Sequence, residues 1–134
     1  MMQLGEITTL DAAPLPGPQK VVDRRTVRRM IEVTVAAALD LPVDELGAKT
    51  RRTAPVAFAR QISMYCAHVT FGWSLTEAGA VFSRDRTTAA HACRVVEDRR
   101  DEPEVDAIVQ QVENALHQWL CAIEGCRKLV PESA

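Results

Sequence analysis

Ser74-Leu75-Thr76-Glu77-Ala78-Gly79-Ala80-Val81-Phe82-Ser83-Arg84-Asp85-Arg86-Thr87-Thr88-Ala89-Ala90-His91-Ala92-Cys93-Arg94 is the stretch on which the fold turns. Ser74 with Glu77 three places on is a capping-box pattern: the hydroxyl accepts from the third backbone N–H and the glutamate reaches back. A short helix is expected from about Leu75 to Phe82, with Leu75, Ala78 and Phe82 inward. Ser83-Arg84 leaves room only for a tight turn before a second helical run, Asp85 to Arg100. Two helices joined so closely, the first of them short, have the minimal helix-turn-helix shape. Counted from Thr87 at roughly 100° per residue, Ala89, Ala92, Cys93 and Val96 fall between about 140° and 240°. Thr87, His91, Arg94 and Asp98 fall within about 40° of zero on the same count. Apolar and polar stripes are opposed, so the core decides which side chains face out.

Such an outer face suits the edges of base pairs. Short threonines permit close approach, an arginine can fork onto guanine, and an aspartate can accept from cytosine. A solvated amphipathic helix has the same pattern, and the stripe alone does not separate the two.

Outward from this unit the chain remains helical. Val27, Met30, Ile31, Val35 and Leu39 form one stripe of a helix over about Arg25 to Leu39, closed by Pro42. Residues from Pro42 to Thr53 read mostly as a loop, ending in Lys49, Arg51 and Arg52. Phe58, Ile62, Tyr65, Cys66 and Val69 share a face of a helix from about Val56 to Thr70, with Gly72 as its stop. Pro103 starts a last helix, carrying Val105, Ile108, Val109, Val112, Leu116, Trp119, Leu120 and Ile123, which Gly125 is expected to end near Glu124. No strand alternation or internal repeat is present. The expected fold is all-α: a compact helical domain with a helix-turn-helix and a long C-terminal helix.

Composition agrees. The 134 residues suffice for one domain, and 47% apolar with 25% charged residues is globular, while only 4% aromatic content favours close-packed helices. The longest apolar run, Val35 to Leu39, is far short of a bilayer span, and the first residues lack a signal peptide's pattern. Four cysteines within or beside helical patterns read as reduced thiols, hence a cytoplasmic location. The net charge of −2 hides an asymmetry: residues 20–100 carry +5 and residues 101–134 carry −5. A basic middle suits an anionic partner such as nucleic acid, or is simply a solvated face.

Phe58-Ala-Arg-Gln-Ile-Ser-Met-Tyr65, Ser74-Leu-Thr-Glu, Phe82-Ser-Arg-Asp-Arg-Thr-Thr88 and His91-Ala-Cys-Arg94, in this order, resemble the C-terminal DNA-binding domain of the bacterial replication initiator DnaA. The resemblance covers about residues 25–118. It implies an all-helical domain that recognises a short duplex box (the DnaA box), with one helix in the major groove and an upstream basic loop in the minor groove. On this resemblance Asp85, Thr87, Thr88 and His91 match the family's base-reading and backbone-contacting helix start. Arg84, Arg86 and Arg94 belong to the same surface, and Arg60 matches an arginine near phosphate. Three departures stand out. The family's minor-groove arginine falls on Ala54, so Arg52, flanked by Lys49 and Arg51, is the candidate replacement. Arg86 stands where the family usually has histidine, and Ser83 stands where it usually has two glycines. Arg86 falls at about 260° on the helical count, nearer Cys93 than the polar stripe, so its access to DNA requires the first turn to protrude.

The resulting expectation is a sequence-specific double-stranded DNA-binding protein, nucleoid-associated and not an enzyme. In 134 residues there is no room for the initiator's ATPase module, and Gly47-Ala48-Lys49-Thr50 lacks the spacing of a phosphate loop. Transcription regulation, or competition at initiator sites, follows; the alternative is a protein-interaction modulator that reuses the fold without specific DNA binding. The domain plan is a flexible segment over 1–19, the DNA-binding domain over 20–118, and an extension with tail over 119–134. That extension either folds back on the N-terminal segment or associates, as a homodimer or with the initiator. His117, Cys121 and Cys126 lack an evident fourth ligand for a metal, His68 is expected at a helix surface or satisfied in the core, and no cofactor is expected.

Overall fold

The computed structural model describes residues 23–46 and 53–130. The segment 1–19, the basic positions Lys49, Arg51 and Arg52, Gly47-Ala48-Lys49-Thr50 and the tail from Pro131 lie outside the described residues. Among the described residues the elements are α1 (Arg24–Leu39), α2 (Val43–Leu46), α3 (Ala54–Val69), α4 (Leu75–Ala80), α5 (Arg86–Arg99) and α6 (Pro103–Leu129), with no strand. The fold is all-α. No helix among them is long and apolar enough to cross a membrane.

Helices α1, α4 and α5 start on side-chain caps, and α3 and α6 start on a first-turn proline. Asp23 accepts from Thr26 N–H, while Pro55 and Pro103 occupy first-turn positions where a missing N–H costs nothing. Asp40 ends α1 in the left-handed region (φ 57°), its N–H reaching Ala36 and Ala37 oxygens. Gly72 turns the chain at φ 76° just after α3. Helix α3 is the central element, packed against α1, α4 and α5, and α6 lies along α1. The core joins Val27, Ile31 and Val35 of α1 to Ile62 and Cys66 of α3 and to Val109, Val112, Leu116 and Leu120 of α6. A second cluster sets Met64 of α3 under Ala89 and Ala92 of α5, which seats the second helix of the motif.

Four local expectations are corrected. The stretch after Pro42 contains the short helix α2. Helix α4 ends at Ala80, and Val81 and Phe82 belong to the turn. Gly125 does not end α6, which runs on to Leu129. A helical glycine costs about 1 kcal/mol relative to alanine, which the flanking turns absorb; Pro131 is the effective stop, because it disfavours α conformation in the residue before it. Val69 and Trp119, assigned to apolar stripes, are 46% and 49% exposed.

Candidate nucleic-acid interface

Helix α4 is held by two arginines of α1. Arg24 donates to Glu77 Oε2 at 2.9 Å and lies over the Trp73 ring. Arg28 donates to Val81 O at 3.1 Å and to Glu32 Oε2 at 3.1 Å, and lies over Phe82. Ser74 and Glu77 form the expected capping box. The Arg24 guanidinium, then the Ser74 backbone N–H, hold the Glu77 carboxyl below its usual range.

The turn is closed by backbone contacts. Gly79 O accepts from Phe82 N–H at 3.0 Å and from Arg84 N–H at 2.8 Å. A Cβ on Gly79 would stand 2.6 Å from Asp85 O and 2.8 Å from Arg84 O, so only glycine admits so close an approach. Ser83 takes φ 62° in the shortened turn, a conformation that glycine adopts at less cost. Arg84 Nη1 folds back to Ser83 O at 3.3 Å.

Asp85 is the N-cap of α5: its Oδ1 accepts from Thr88 N–H at 2.8 Å. That backbone hydrogen bond lowers the Asp85 pKa from its ordinary value. Beyond the cap, Arg86, Thr87, Thr88, His91 and Arg94 are all exposed, while Ala89, Ala92, Cys93 and Val96 are buried. Arg86 is solvent-exposed despite its angular position, as are Thr87 and Thr88 beside it in the first turn.

Arg60 of α3 donates from Nε to Leu46 O and from Nη2 to Glu45 O, both at 3.1 Å. It thus satisfies carbonyls at the end of α2, where the segment bearing Lys49, Arg51 and Arg52 begins. A cleft of about 170 Å³ between this point and the turn is lined by Arg28, Glu32, Arg60, Ser83 and Arg84, among others. Three arginines and one glutamate line it, and of the three Arg28 binds the Glu32 carboxylate. The structure therefore brings the α5 surface residues onto one helix end and Arg60 and Arg84 into one adjoining cleft.

Arg28, Gly79 and the capping role of Asp85 did not stand out in the sequence. Asp85 three residues before Thr88, at a helix start, was a readable cap. Arg28 gave no such signal, since its acceptor Val81 lies 53 residues away. His68 is satisfied by Trp73 O at 2.6 Å. Among the described residues no group of three or more His, Cys, Asp or Glu is placed to hold a metal. Compared with known families, residues 29–96 match the family described as Bacterial dnaA protein helix-turn-helix, a span from α1 into α5.

Proposed function

The chain belongs to the bacterial DnaA helix-turn-helix family, and from that premise we propose that it binds duplex DNA in a sequence-specific manner, as a transcription regulator or a competitor at replication-initiator sites. The observation that carries this reading is the α5 start: Arg86, Thr87, Thr88, His91 and Arg94 stand exposed on a helix whose opposite face is buried. In this reading α5 enters the major groove. Thr87 and Thr88 approach base edges and phosphate, His91 and Arg94 lie further along the groove, and Asp85 holds the first turn in place through its cap. Lys49, Arg51 and Arg52 supply the minor-groove loop, with Arg52 reading groove width. The arginine cleft lies between the end of α2 and the turn before α5, so the phosphate backbone passes it. There Arg60 shares its guanidinium between the α2 carbonyls and phosphate, and Arg84 neutralises a neighbouring phosphate. The protein acts at the nucleoid in the cytoplasm.

Selection of bound sequences from random duplexes by the purified protein, followed by anisotropy titration, tests the proposal. A selected site bound in preference to random duplex, with affinity falling steeply as salt rises, is expected, because lysine and arginine release condensed counterions. Equal binding to every duplex would refute it. A second reading, a modulator that docks on the initiator, is favoured by one observation only, the exposed Trp119 on α6.

A further inference from the structure

We propose that Arg28 and Glu32 of α1 form a positioning pair that sets how α5 is presented to DNA, so that discrimination between base pairs depends on two residues outside the α5 surface. This rests on the DNA-binding reading above and extends it to α1. Glu32 is 7% exposed and is the only buried charged side chain among the described residues. A carboxylate so placed is costly unless paired, and Arg28 Nε donates to its Oε2 at 3.1 Å. The pair does little for α1 itself, because a cation four residues before a carboxylate is the less favourable order along a helix. Its effect lies across the fold. With Nε held by Glu32, Nη1 of the same guanidinium donates to Val81 O at 3.1 Å. Val81 is the C-cap of α4, where carbonyls lack helical partners and a cation is favoured.

The same guanidinium lies 5.7 Å from the centre of the Phe82 ring. Phe82 in turn packs against Met64, Ala89 and Ala92, the cluster that seats α5 on α3. Arg28 thus grips the turn twice, at a backbone oxygen and at a ring packed on α5. Both points precede Ser83, whose φ of 62° lies in the left-handed region. Glu32 fixes the direction of the guanidinium, and the rigid planar fork carries that direction to Val81 O. Loosening the grip frees the turn, and with it the Asp85 cap and the exposed Thr87 and Thr88.

Arg28→Met combined with Glu32→Met tests this in the full chain. Both charges leave together, so net charge is unchanged and no carboxylate stays buried without its partner, the loss that makes single replacements severe. Methionine is a good helix former and an adaptable filler, so a urea midpoint near that of wild type is expected. Amide exchange at Phe82, Ser83 and Arg84, whose N–H groups close the turn, should quicken at least about tenfold while α1 and α3 keep their protection, the mark of local opening. Preference for the selected site over its single-base variants should fall about fivefold or more, the discrimination carried by one base pair. The salt slope should stay the same, whereas loss of a phosphate contact would lower it by about 0.9. Arg28→Lys leaves Glu32 its cation but has no planar fork; it should give the same two changes in milder form, and it decides the matter if the double variant does not fold. Wild-type turn exchange and base preference in the folded variant overturn the proposal, as does a lowered salt slope with a uniform loss across sequences, which makes Arg28 a phosphate contact. A wild-type protein with no base preference overturns the DNA reading and this inference with it; a preference that the variant retains overturns this inference alone.

Discussion

Replacing Gly79 by alanine should destabilise the domain even though glycine is a poor helix former. In an open helical position Gly→Ala stabilises by about 1 kcal/mol. At Gly79 the new methyl would sit 2.6 Å and 2.8 Å from the backbone oxygens of Asp85 and Arg84, inside the 3.0 Å that real Cβ atoms respect. Neither oxygen is the far end of a flexible side chain, so the turn itself must retreat. Overpacking of this kind costs about 1–3 kcal/mol, leaving a net loss of up to about 2 kcal/mol once about 1 kcal/mol of helix propensity is credited. For a domain of this size a loss of 1 kcal/mol lowers Tm by roughly 4 °C. Because the displaced carbonyls belong to Arg84 and to the cap of α5, the start of α5 moves as well. DNA affinity should therefore fall by more than the fraction unfolded accounts for. Gly125→Ala is the internal control: nothing lies within 4 Å of the position its methyl would take, and it should raise stability by up to about 1 kcal/mol. Urea unfolding of the two variants beside wild type should give opposite signs. Gly79→Ala stabilised to the same extent as Gly125→Ala would refute the close-approach argument.

Three further outcomes are expected. Asp85 and Glu77 have carboxyls held below their ordinary values by hydrogen bonds made only in the folded state. Their stabilisation is complete at neutral pH, starts to fall near the ordinary carboxyl values of 4.5 and 3.8 and is lost as pH drops through the lowered ones; Asp85→Ala should lower stability at pH 7 and flatten the acid limb of a pH series of urea melts, and an unchanged limb in both Asp85→Ala and Glu77→Ala would contradict the assignment. Arg86→His should relax or shift preference at one base pair of the selected site, where a guanidinium fork to guanine discriminates by about 1–3 kcal/mol; binding to all single-base variants would separate this from a phosphate role, which predicts a uniform loss and a shallower salt slope. Burial pushes the Cys66 and Cys93 thiols up in pKa, so a maleimide should label exposed Cys121 in the native protein and reach Cys66 and Cys93 only on unfolding, as peptide mass mapping would show.

Residues with local consequences were legible in the chain itself. Opposed stripes at Ala89, Ala92, Cys93 and Val96 against Thr87, His91 and Arg94 follow from helical spacing alone, and every one of those positions has the burial its angle implies. The Ser74–Glu77 box was equally local. Helix α2 was not legible, since a single turn of four residues has no periodicity to read. Gly79 looked like any helical glycine, because the carbonyls that exclude a methyl there are brought by the turn.

The sequence by itself determined the helical class, the helix-turn-helix, the capping at Ser74 and the buried face of α5, since these depend on residues within one or two turns of each other. Tertiary structure alone decided that Arg28 reaches Val81 O, that Arg60 binds the end of α2, and that Trp119 stays in solvent while Leu116 and Leu120, on the same apolar helix, are buried. Hydrophobic burial is non-directional. A broad apolar stripe states that a helix will be covered, but only the packing of its neighbours selects which part, and long cationic side chains take whichever carbonyls that packing leaves within reach.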